Sequence, residues 1–111
     1  MKKVDNKISR DFRRLGIPDI YHGEQYLYSA LKMVEEDPTS LCCITKQIYP
    51  EVAKIHNTTP VCVERNLRTL INKVWIHKEY LERILGREMK KKPSNREFID
   101  LMAVYLYDEE N

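Results

Sequence analysis

Glu64, Arg65 and Arg68 are the residues of this 111-residue chain whose types and spacing suggest specific chemistry. A guanidinium group offers two N–H donors that match the major-groove acceptors of guanine, and a carboxylate can accept from the amino group of cytosine. To work together, such residues must stand on one exposed helix face. The sequence supplies that helix: after Pro60, the apolar residues Val63, Leu67, Leu70 and Val74 share a narrow arc at helical spacing. This arc anchors the helix to a core and turns Arg65, Arg68 and Asn72 outward, with Val61 and Glu64 at the flank. A plain alternative is that these groups form the solvated face of an amphipathic helix, with Glu64 and Arg68 paired at i, i+4.

The residues just upstream favour the first reading, each for a separate steric reason. Pro50 to Leu70 reads as helix, tight turn, helix. Where two such helices pack closely the first needs a small residue, and Ala53 is placed to supply it. Four residues later stands Asn57, one of the few non-glycine residues that enters the left-handed backbone region readily. Thr59 can cap the next helix, and Pro60 suits a first turn, where its missing N–H costs nothing. The helix-turn-helix core is therefore expected over 50–77, with its second, DNA-recognition helix over 60–77.

The remaining elements follow from apolar spacing and chain breaks. Leu27, Ala30, Leu31 and Val34 repeat at i, i+3, i+4 and i+7, as do Phe98, Leu101, Met102 and Tyr105. No two-residue alternation argues for a strand. Breaks at Gly16-Ile17-Pro18, Gly23, Asp37-Pro38, Tyr49-Pro50, Thr59-Pro60, Gly86 and Pro93 divide the chain. The spacing predicts helices over Asp5–Leu15, Gly23–Glu36, a short stretch Ser40–Ile48, Pro50–His56, Pro60–His77, Glu79–Leu85 and Asn95–Tyr107. The class is all-α, a bundle of about six helices, and 1–111 is expected to be a single domain.

Net charge is only +2, but Arg65, Arg68, Lys73 and Lys78 against Glu64 make 60–78 locally basic, while Asp108-Glu109-Glu110 is acidic. Nothing in the chain resembles a membrane span or a secretory leader, so a cytoplasmic protein without membrane contact is expected. The three cysteines, two of them adjacent at Cys42-Cys43, make neither a disulfide framework nor a zinc pattern and are expected to be reduced and structural.

Across nearly its full length the sequence resembles the C-terminal effector domain of stage zero sporulation protein A, a sporulation response regulator. The resemblance rests on Gly16-Ile17-Pro18, Tyr26-Leu27-Tyr28, Ile44-Thr45-Lys46, Tyr49-Pro50, Ala53-Lys54, Asn57-Thr58-Thr59, Val63-Glu64-Arg65, Arg68, Trp75, Lys92-Pro93-Ser94-Asn95 and Glu97-Phe98-Ile99. It implies a six-helix bundle whose helix after Pro60 docks in the major groove of a box resembling TGTCGAA. Glu64, Arg65 and Arg68 would then contact bases, and Asn57, Thr58, Thr59, Lys54 and Asn72 the phosphate backbone. It also implies that 1–111 is a single effector domain, with no receiver domain, that forms head-to-tail pairs on tandem boxes and contacts the housekeeping sigma factor through the region after the recognition helix. Cys62 stands where the family has another arginine, Thr69 replaces a histidine, and 76–82 is shorter and more charged than the family's sigma-contacting segment.

Other functions find less in the sequence. His22, His56 and His77 lack metal-ligand spacing, and no glycine-rich phosphate loop or paired nucleophile and base suggests an enzyme. Neither a cofactor nor a small-molecule substrate is expected. Tyr26, Tyr28, Tyr49, Tyr80, Tyr105, Tyr107 and Trp75 at helical spacing read as core and its rim rather than a single-strand stacking platform. Lys90-Lys91-Lys92 reads first as a solvated loop and second as a phosphate contact. The rival to a DNA-binding regulator is a protein-interaction module, an antagonist that pairs with a full-length regulator without reading DNA.

Overall fold

The computed structural model describes residues 3–17 and 22–107; Pro18 of the first expected break and the acidic run at 108–110 lie outside them. Six α-helices follow in order: α1 (Lys3–Arg14), α2 (His22–Glu36), α3 (Tyr49–Ile55), α4 (Pro60–Trp75), α5 (Lys78–Leu85) and α6 (Asn95–Tyr107). Among the described residues there is no strand. The expected helix over Ser40–Ile48 takes a different form, a 3-10 helix over Pro38–Cys43 and then a π-helical turn over Ile44–Ile48. The reason is local. Asp37 caps Pro38–Cys43 through Thr39, and Cys43 at φ −132° and ψ 51° interrupts the helical backbone before Ile44.

α2 and α4 form the centre of the packing, and α3 and α6 lie against both. The expected stripe of α2, Leu27, Ala30, Leu31 and Val34, is buried, and it meets Val63, Leu67, Leu70, Ile71 and Val74 of α4 and Phe98, Ile99, Met102 and Leu106 of α6 in one core. Removing a Leu, Ile or Phe side chain from water contributes about 1.5–3 kcal/mol, so the apolar seam that orients α4 is well determined. The tyrosines behave as core and rim: Tyr26 and Tyr49 are buried, while Tyr28, Tyr105, Tyr107 and Trp75 pack partly buried against that core. The cysteines depart from expectation in part. All three are free, as expected, but Cys42 and Cys43 are exposed rather than buried in the core, and Cys62 is partly buried.

Among the described residues, two carboxylates lie inside the molecule. Glu24 of α2 is fully enclosed; one oxygen meets Nη2 of Arg13 at 2.5 Å and the other accepts from the hydroxyl of Tyr28. Arg13 also donates to Ser9 Oγ at 2.7 Å and to the carbonyl of Ile17 at 2.6 Å, so one guanidinium closes the corner between α1 and α2. Asp11 accepts from the hydroxyls of Tyr80 at 3.0 Å and Tyr105 at 2.5 Å, which ties α1 to α5 and α6. Burial, followed by the hydrogen bond to Asp11, pushes the Tyr105 phenol above its ordinary pKa.

Candidate nucleic-acid interface

The interface is built on the end of α3. Thr58 N–H donates to the Ala53 carbonyl at 2.9 Å and Asn57 N–H to that of Lys54 at 3.3 Å, the bond pair of a Schellman ending. Such an ending needs a left-handed residue, and Asn57 sits there with φ 55°. Extended Thr59 then caps α4 by accepting the Cys62 N–H at 3.1 Å, with Pro60 in the first turn. Ala53 is buried between the helices, as its small side chain allows. α3, this turn and α4 thus have the order, lengths and short connection of a helix-turn-helix.

The turn is pinned from behind. A ring nitrogen of His56 lies 2.7 Å from Ser29 Oγ on α2, and the ring meets Tyr26 edge-on at 5.1 Å. Burial, and then the nearby His22, hold His56 below the usual imidazole pKa, favouring the neutral ring.

On α4 the buried arc is Val63, Leu67, Leu70, Ile71 and Val74, and the outer face carries Arg65, Arg68, Thr69 and Asn72, all exposed, with half-exposed Glu64. Val61, at the start of the helix, is 62% exposed. Arg68 holds Glu64 through two bonds of 3.1 and 3.2 Å, so the i, i+4 pair expected of a solvated face does form. An exposed pair of this kind is worth only about 0.3–0.5 kcal/mol, small against a bidentate base contact of about 1–3 kcal/mol. The pair therefore holds both side chains ready without locking them.

Cys62 is turned elsewhere. It is partly buried, and Asn66 Nδ2 lies 3.3 Å from its sulfur and 2.8 Å from its carbonyl oxygen.

Glu64, Arg65, Arg68 and Asn72 come together on one face, with Asn57 and Thr59 exposed at its N-terminal end. Thr58 is half-buried, and Lys54 is exposed on α3, lining a separate groove with Lys32 and Lys46. Asn72 is already engaged, its Oδ1 accepting from Lys92 Nζ at 2.5 Å.

Sequence reasoning missed Asn95. Its amide donates to the Tyr49 hydroxyl at 2.9 Å and to the Glu64 carbonyl at 3.1 Å, fastening α3, α4 and α6 directly behind the outward arginines. The signal for the helix start beside it is Ser94-x-x-Glu97, a capping box: Ser94 N–H donates to Glu97 Oε1 at 2.8 Å and Glu97 N–H to Ser94 Oγ at 3.2 Å. The Ser94 backbone donor, and then its side chain, hold the Glu97 carboxyl below its usual pKa. Among the described residues no three His, Cys, Asp or Glu side chains gather as metal ligands, and no helix is long and apolar enough to cross a membrane.

An all-helical body that holds a second helix from behind while presenting arginines in front has the architecture of a helix-turn-helix domain. The family model described as Sporulation initiation factor Spo0A C terminal matches residues 8–106. The chain belongs to that family, whose members are DNA-binding effector domains of transcription regulation rather than enzymes; the match runs from within α1 into α6.

Proposed function

We propose that this chain is a sequence-specific duplex-DNA-binding transcription regulator that works by seating α4 in the major groove, without catalysis. The observation that carries this reading is the outward, exposed position of Arg65 and Arg68 in the first two-thirds of a helix whose opposite face is fully buried. Recognition helices contact base edges from this part of their length. Arg65 and Arg68 bond guanines, Glu64 accepts from a cytosine amino group once Arg68 turns to the DNA, and exposed Val61 is placed to meet a thymine methyl. Asn57, Thr58 and Thr59 approach one phosphate strand, with Lys54 and Asn72 adding to backbone contact. Residues 1–111 act as one effector domain in the cytoplasm. The domain occupies tandem boxes head to tail and offers the sigma factor the segment around Ile76, which is 78% exposed.

Fluorescence anisotropy with a labelled duplex containing TGTCGAA, against a scrambled duplex over a salt series, tests the proposal. We expect tighter binding to the box at every salt concentration and a steep fall of affinity with salt. Equal, weak binding to both duplexes would favour the protein-interaction module instead.

A further inference from the structure

The segment between α5 and α6 carries Lys90, Lys91 and Lys92, all exposed, between two buried residues, Met89 and Pro93. A solvated lysine loop has no need of anchors, yet this one is fastened at several points. Met89 N–H donates to Glu82 Oε2 at 2.8 Å at one end, the Ser94 and Glu97 capping box closes the other, and Lys92 reaches Asn72 on the outer face of α4. Lys91 and Lys92 line one open groove with Arg68 and Asn72, so they stand on the arginine side of the recognition helix and not behind it. Glu64 and Glu97 also line this groove, but Glu64 is taken up by Arg68 and Glu97 by the cap. The net charge left facing outward is positive.

From this placement we propose that Lys91 and Lys92 form a second phosphate clamp, gripping the strand along the C-terminal half of α4 while the Asn57–Thr59 turn holds the strand at its N-terminal end. The inference rests on the docking of α4 in the major groove. An α-helix fills a groove about 12 Å wide and is bordered on both sides by phosphates, so a rigid arm beside its outer face meets backbone, not base edges. Asn72 acts as a positioning residue, fixing the lysine amine at the level of Arg68. The clamp supplies affinity and register but no sequence information.

The test compares the parent chain with Lys91→Ala/Lys92→Ala, both exposed positions, on box and scrambled duplexes across a salt series. Two lost phosphate contacts are expected to make the slope of log affinity against log salt shallower by roughly 1 to 2, and to weaken binding about 10- to 30-fold near ~0.15 M salt. Both duplexes should lose affinity alike, leaving their ratio within about twofold. A double variant with the parent's slope and affinity, while the parent discriminates between duplexes, overturns the clamp and leaves the docking of α4 standing. Loss of discrimination in the variant overturns it as well, since that would mark a base contact. A parent that treats the two duplexes alike removes the docking itself, and the clamp with it.

Discussion

Arg13→Ala is expected to destabilise the domain by about 3 kcal/mol, read as a fall in Tm of about 12 to 20 °C. The size follows from what remains rather than from what is removed. Glu24 is buried, with the Arg13 guanidinium and the Tyr28 hydroxyl as its side-chain partners among the described residues, so the variant leaves a buried carboxylate without that counter-charge. The same change frees the Ile17 carbonyl and Ser9, both held by Arg13. Arg13 is about one-third exposed, which lets water partly replace it and keeps the expected cost at the lower end for a broken buried pair. Adding Glu24→Gln to this variant should recover part of the loss, because a neutral amide costs less to bury alone. A Tm change below about 2 °C for Arg13→Ala would show that the pair does not hold α1 on α2.

Arg65→Ala and Arg68→Ala should act on DNA and not on folding. Each is expected to weaken binding to the box by about 1–3 kcal/mol, which is about 5- to 150-fold, with a smaller loss on scrambled DNA. Tm should stay within about 2 °C of the parent, because both side chains are exposed and the Glu64–Arg68 pair is an exposed one. Arg68→Ala also frees Glu64. If Glu64 reads a cytosine amino group, Arg68→Ala keeps preference at that base pair while losing it at the guanine that Arg68 contacts. Unchanged affinity in both variants would remove the arginines from the interface.

Most of the fold was legible because its helices are regularly amphipathic and their ends carry side chains of strong local preference. α2, α4 and α6 lie where their apolar stripes predict, and Asn57, Thr59 and Pro60 adopt the left-handed, capping and first-turn roles their chemistry favours. α4 ends at Trp75, two residues before the expected His77, where Ile76 and His77 turn away into α5. The stretch at 38–48 was not legible as a 3-10 and π pair, since one helical period cannot describe two pitches in succession. The buried charges were hidden for a different reason. Asp11, Glu24 and Arg13 look like ordinary surface residues until tertiary packing brings Arg13 to Glu24 and Tyr80 and Tyr105 to Asp11. At the candidate site, the outward residues followed from periodicity on a single helix. Asn95 did not, because its partner Glu64 lies 31 residues away in the chain, and Lys92, read second as a phosphate contact, gave no sign of its bond to Asn72, 20 residues away.

Methylation of guanine N7 by dimethyl sulfate probes the seating of α4 on DNA, since that atom lies in the major groove where Arg65 and Arg68 are assigned. With the box duplex saturated by protein, the box guanines should be protected, and Arg65→Ala and Arg68→Ala should each lose protection at one guanine under saturating conditions. Guanines that react as fast in the complex as in free DNA would contradict it.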